Sequence, residues 1–516
     1  MNQVAMGQLR DYDYDYDYVI VGGGTAGAVL AARLSEDSEV RVVLLEAGPG
    51  DGPAIMADPN PEAAVGLWGS ALDWNYTTTP QSGTENAVHT WPRGRVLGGS
   101  SSINGLTHLR GHASSYDAWE KQGAEGWNYR EMLPFLMRSE AAGGRDPRFR
   151  GQAGPMTIEE PPAATPLAQD LHDAAVDAGF PCCEDGNAPR AEGVFWAERN
   201  VAAGRRQSAA DAYLLPVLSR PNLTVVTDAQ VRRLLVDNGR CRGAEYVRNG
   251  ESGTVLAERE VVLSAGAIGS PQILMLSGIG PADHLRQLGI PVRSDLPGVG
   301  ANLHDHPLAW ISYGVKKSPV PGPSRQAMLF ARTGPDADPD ILMSFTAVAL
   351  NPRWAGAQEG FSILFGLATP ASRGTVRLRS ADPTSHPLID PAYLTESEDL
   401  PRMVAALRTA RRIARAGALT AWRGDEIFPG REAVTDEECG AYIRRTAGTY
   451  FHPVGTCRIG TDGEAVVDTA LRVHGVDGLS VADASVMPSI VSANTNAAVL
   501  GIAERAAHLV ATRAAR

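Results

Sequence analysis

Residues 18–48 leave this chain few ways to fold. Tyr18-Val19-Ile20-Val21 is a short β-branched run suited to a buried strand, Gly22-Gly23-Gly24-Thr25-Ala26-Gly27 is a glycine turn, and Ala28 to Leu34 is a helix former. A second apolar run over 40–45 ends in the carboxylate of Glu46. Strand, turn, helix and strand make one βαβ unit, which points to an α/β protein. In the spacing Gly22-x-Gly24-x-x-Gly27 the first glycine permits a tight turn, the second lets a pyrophosphate approach the backbone, and the third lets helix pack closely on strand. Amides at the helix N-terminus attract phosphate. Glu46 falls about 20 residues beyond the last glycine, where a carboxylate meets a ribose hydroxyl and disfavours a 2′-phosphate. FAD or NAD is therefore expected over NADP, and the motif alone does not separate the two.

Composition narrows the partners. The 516 residues are 43% hydrophobic and carry a net charge of −12, which argues against nucleic acid and anionic membrane surfaces as partners. The apolar run after Val19 is broken by glycines and stops at Arg33, too short to span a bilayer. Five cysteines, of which Cys182 and Cys183 are adjacent, make neither a disulfide framework nor a metal-ligand set. A cytoplasmic protein without a metal is expected. The repeat Asp11-Tyr12-Asp13-Tyr14-Asp15-Tyr16-Asp17-Tyr18 reads as a solvated arm whose last residues extend the first strand.

Farther along, helical spacing occurs over 118–139 and 166–179, apolar strands over 223–226, 244–246 and 260–266, a final strand over 479–483, and a closing helix over 496–513. Between Pro339 and Pro387 short alternating runs suit an antiparallel sheet and a second subdomain. Two further small-residue blocks suit a flat ligand: Trp91 to Gly105, where Asn104 could hydrogen-bond the ligand's edge, and Ser264 to Gly280, a strand and glycine turn before a helix initiated by Pro271. A serine-rich surface loop is the alternative for the first.

These blocks, in this order, together with 298–307, 372–378 and His452-Pro453-Val454-Gly455-Thr456-Cys457-Arg458-Ile459-Gly460, resemble the glucose-methanol-choline (GMC) oxidoreductases from about Tyr18 to the last helix. The resemblance implies a Rossmann-like FAD-binding domain interleaved with a substrate domain built on an antiparallel sheet with helices. We assign 12–150, 195–310 and 450–516 to the first and 151–194 and 311–449 to the second. It also implies oxidation of a small alcohol, with His452 taking the hydroxyl proton, Asn494 holding the alcohol oxygen, hydride passing to flavin N5, and O2 or another acceptor reoxidising the flavin. Asn494-Thr495-Asn496 reads equally well as a helix cap, and either asparagine could touch the flavin. The cofactor-binding set carried over is Gly22, Gly24, Thr25, Ala26, Gly27, Glu46, Ala47, Trp74, Gly99, Asn104, Gly105, Thr107, Val231, Asp483, Ala484, Thr495 and Asn496. Some relatives attach FAD through a histidine just before the asparagine of the glycine-serine block. This chain has Ile103 there, so dissociable FAD is expected. His304 and His306 are expected to be structural, and His108 to alter the pocket beside the flavin. The compact stretch 307–339 suggests a short lid and an open pocket. A sugar, a glycoside, an aryl alcohol or a natural-product intermediate are the candidate substrates. A hydroxynitrile lyase that keeps FAD as a structural element, or a non-catalytic flavoprotein, are the competing functions. The oligomeric state is not legible.

Overall fold

The computed structural model describes residues 16–160, 163–320, 324–334 and 337–514; the Asp-Tyr run up to Asp15 lies outside them. The βαβ unit comprises β1 (Tyr16–Val21), α1 (Thr25–Leu34) and β2 (Val42–Leu45), the two strands pairing in parallel with Val19 opposite Val43. β3 (Leu223–Val226) extends the sheet beyond β2, and the end of the long β4 (Glu251–Leu263) pairs with the other edge of β1. After α2 (Gly266–Leu276), β5 (Leu479–Val481) joins β4 in parallel. These strands read as unbroken apolar runs because both faces are covered: Val19, Ile20, Val43 and Leu44 are fully buried. The closing helix α3 (Asn496–Ala514) packs on α1, and Arg33 on α1 donates to Glu504 on α3 at 2.7 Å. The nucleotide-type layer is thus assembled from both ends of the chain.

The second sheet is antiparallel and runs in the order Arg423–Phe428, Pro307–Val315, Phe361–Leu367, Ile341–Thr346, Ala327–Ala331, Gly193–Trp196. Its period-two alternation sorts the side chains. Ala309, Ile311, Leu329, Met343, Ile363 and Phe365 pack into one core with Leu171 of the helix Pro166–Asp177 and Met403 and Leu407 of the helix Asp399–Ala414. The alternate residues Met328, Ser344, Thr346 and Leu364 face the other way and line a cavity.

Several sequence expectations change. The helical pattern over 118–139 is two helices, Ala113–Lys121 and Tyr129–Ser139, parted by turns in which Gly123 and Gly126 take φ of 94° and 79°. α2 begins at Gly266, with Pro271 inside it. The ring costs that turn its hydrogen bond to the carbonyl of Ala267, and the hydroxyl of Thr456 donates to that carbonyl instead, at 2.6 Å. The antiparallel sheet starts well before Pro339. The stretch expected as a lid, 307–339, contributes two of its strands. The cuts expected between 194 and 195 and between 310 and 311 pass through the strands Gly193–Trp196 and Pro307–Val315.

Candidate active site

The glycine turn, the sheet face and the segments after β5 enclose one cavity of about 930 Å3. At one end α1 has no side-chain cap at its N-terminus, so its first amides are open to a ligand. Gly22 sits at φ 102°, where a Cβ would stand 2.7 Å from the carbonyl oxygen of Ser264. A Cβ on Gly99 would stand 2.7 Å from the Cα of Gly24. Two glycine backbones therefore touch at the floor, and any side chain there would fill the space. Glu46 accepts from the amides of Gly23 and Gly48, each at 2.8 Å, and burial pushes its carboxyl up to about 7. Asp483 accepts from the amides of Gly266 (2.8 Å) and Ser485 (2.7 Å) and from the Ser270 hydroxyl (2.5 Å), pinning the start of α2 to the turn after β5. Trp74 stacks on Tyr76 at 5.9 Å and carries the Arg95 guanidinium over its ring. This cradle of open amides, a ribose-type carboxylate and aromatic walls fits FAD, whose volume suits a cavity at the upper end of small-molecule sites.

The other end is built around His452. Its backbone amide donates to Asp305 at 2.7 Å, and Asp305 also accepts from the hydroxyls of Thr449 and Tyr393. Its ring stacks against Tyr450 at 4.8 Å. The proton positions follow from its partners. His306 Nε2 lies 3.0 Å from the carbonyl oxygen of Ala368, which can only accept, so Nε2 carries hydrogen. Burial holds His306 down to about 4, so it is neutral and its Nδ1 is an acceptor. With His306 in that tautomer, His452 Nδ1, 2.9 Å away, donates and the lone pair lies on His452 Nε2. Asn494 Nδ2 donates to that Nε2 at 3.1 Å, while Asn494 Oδ1 is buried with no partner among the described residues. Burial, and then His306 and the Arg93 guanidinium, hold His452 well below the usual imidazole range. The arrangement is a neutral base with its acceptor nitrogen beside a primary amide.

All the carried-over residues line this one cavity except Gly27. Gly27 serves packing: a Cβ there would lie 1.9 Å from the carbonyl oxygen of Gly22. Asn494 faces the imidazole, whereas Asn496 accepts from the Thr25 hydroxyl at 3.0 Å, tying α3 to the glycine turn. His108 is a correction. It does not border the cavity but sits in a buried ionic cluster, 2.9 Å from Glu140, with Asn200 donating to its other nitrogen. Arg110 and Arg150 complete the charge balance around Glu140. His306, expected to be structural, lies with Nδ1 2.9 Å from His452 Nδ1 and Nε2 3.0 Å from the carbonyl oxygen of Ala368. Its spacing carries no sign of that, because the contact joins residues far apart in the chain. Sequence reasoning also missed Trp68, Trp354 and Phe451, which share a wall of the cavity.

The N- and C-terminal models described as GMC oxidoreductase match residues 16–308 and 370–503. The chain is 40% identical to mitochondrial choline dehydrogenase of Mus musculus over 95% of its length and 89% of the relative's. It is 40% identical to oxygen-dependent choline dehydrogenase of Sinorhizobium medicae, over 95% and 94%. Pyridoxine 4-oxidase from Mesorbium loti superposes with a TM-score of 0.91 at 38% identity, covering 96% of this chain and 98% of the other. Formate oxidase from Aspergillus oryzae superposes with a TM-score of 0.89 at 27% identity, covering 96% and 98%. The chain belongs to the GMC oxidoreductase family and is an FAD-dependent oxidoreductase acting on CH–OH donors.

Proposed function

We propose that the chain oxidises a neutral primary alcohol borne on an aromatic or heteroaromatic ring, with His452 as base, Asn494 as the alcohol's hydrogen-bond donor, and FAD held without a covalent link. The observation that supports the base assignment is the chain Ala368–His306–His452–Asn494, which we read as a bare His452 Nε2 beside an amide NH2. His452 Nε2 takes the hydroxyl proton, and Asn494 Nδ2 turns from the imidazole to the alcohol oxygen as the substrate enters. Bound FAD supplies the hydride acceptor. Ile103, an aliphatic side chain buried beside Leu67, Leu72 and Val96, offers no nucleophile for a covalent bond. Five free thiols support the cytoplasmic reading.

The substrate class follows from the wall beside His452. Trp68, Phe451 and Trp354 have centroids 4.8, 6.0 and 6.3 Å apart, the spacing of rings in mutual contact. Their planes are inclined to one another by 53°, 38° and 88°, an aromatic wall against which a ring-borne alcohol can pack. The carboxylates lining the cavity, Glu46, Asp73 and Asp483, are engaged by backbone amides. The charge acting on His452 from the cavity wall is the cationic Arg93. Choline oxidation is the second reading, favoured by the names of relatives at 40% identity. Anaerobic mixing of the holoenzyme with benzyl alcohol, pyridylmethanols and choline separates the readings. Ring-borne alcohols are expected to bleach the flavin with an apparent second-order rate at least about tenfold above choline, within the range a pocket mismatch supplies. A preference for choline would overturn the substrate assignment, and a flavin that no alcohol reduces would favour a lyase.

A further inference from the structure

Arg206 is 5% exposed, and nothing in the mechanism above uses it. It lies on the short strand Arg205–Arg206, paired with Val201. Its Nη1 donates to Asn104 twice, to the backbone oxygen at 2.6 Å and to Oδ1 at 3.0 Å. Its Nε and Nη2 are buried with no hydrogen-bond partner among the described residues. Asp211 and Asp58 act on it only at a distance, and burial pulls it down to about 10. A buried guanidinium without a bonded carboxylate is costly, since desolvation is not offset by a partner.

Among the described residues its side chain bonds to Asn104, which lines the cofactor cavity. Asn104 Oδ1 also accepts from the amide of Leu106 at 3.0 Å. With both donors on the oxygen, the amide's orientation is fixed and its NH2, which bonds to no described residue, is left for the cavity that Asn104 lines. The preceding residue marks which end this is. The Ile103 carbonyl accepts from the Trp68 indole at 3.4 Å, and Trp68 packs on Phe451, next to His452. We propose that Arg206 is a positioning residue that locks Asn104 with its NH2 toward bound FAD and places behind that contact a positive charge bonded to no carboxylate, raising the cofactor's affinity for electrons. It has no contact with the alcohol.

The test uses holoenzyme with Arg206→Gln and Arg206→Met, which remove the charge, and Arg206→Lys, which keeps it. Inorganic sulfite, which adds to electron-poor flavins, and the two-electron reduction potential are the readouts. In the neutral variants the reduction equilibrium should fall at least tenfold, about 30 mV, and sulfite affinity should fall with it. Arg206→Lys should stay within threefold of wild type. Neutral variants that keep the wild-type potential, or a lysine variant that falls as far as glutamine, would overturn the proposal. If the neutral variants fail to retain FAD, retention by the lysine variant supports the charge role and loss in all three contradicts it. Wild-type protein that binds no FAD would instead sink the functional reading above.

Discussion

Replacing His306 by Phe removes the acceptor that fixes the proton on His452 Nδ1. The contact between the two rings is buried, with His306 1% and His452 7% exposed, so bulk water does not replace the lost acceptor. Leaving a buried donor unpaired costs about 1–3 kcal/mol. The imidazole escapes that cost by carrying its proton on Nε2, the nitrogen that must be bare to accept the substrate proton. The productive tautomer is then disfavoured by the same amount, which lowers the rate of alcohol-driven reduction by roughly 5- to 150-fold. Anaerobic stopped-flow measures that rate directly, with substrate affinity obtained separately from its concentration dependence. His306→Gln, whose amide oxygen can accept the same N–H, should recover part of the loss. A folded, FAD-loaded His306→Phe enzyme reducing its flavin within twofold of wild type would refute the tautomer argument.

Two further outcomes follow from the same geometry. Gly27→Ala drives a Cβ to 1.9 Å from the Gly22 carbonyl oxygen, so the purified protein should lose most of its FAD and melt several degrees lower, checked by absorbance and calorimetry; a normal FAD content would count against the packing role. Burial holds His306 at about 4, below its unfolded value of about 6.5. The unfolded chain therefore binds the proton first as pH falls. Stability present above pH 6.5 is lost as pH drops to about 4 and levels off below, on the order of 3 kcal/mol. Denaturant titrations should show a smaller loss over that window in His306→Phe, and equal losses in both proteins would contradict it.

The glycine turn, Glu46 and the apolar strands were legible because each reflects a local demand: a backbone contact, a carboxylate at fixed spacing, a strand buried on both faces. The antiparallel sheet was only partly legible. Its strand Gly193–Trp196 is short, and its pairing with Ala327–Ala331 is set by tertiary contacts that no local pattern carries. The start of α2 is not legible because Pro271 is a good first helical residue, and the hydroxyl that takes up the freed Ala267 carbonyl comes from the distant Thr456. His108 and His306 exchanged roles for the same reason. Each histidine is defined by its partners, Glu140 and Asn200 for one and His452 and Ala368 for the other, and those partners converge only in three dimensions.

His452 is the base proposed to face bound FAD. Anaerobic reduction of the FAD-loaded His452→Ala enzyme by the best ring-borne alcohol tests it most directly. Loss of a positioned general base predicts a rate lower by about 10²–10⁴-fold with FAD still bound. Reduction at the wild-type rate would contradict the account.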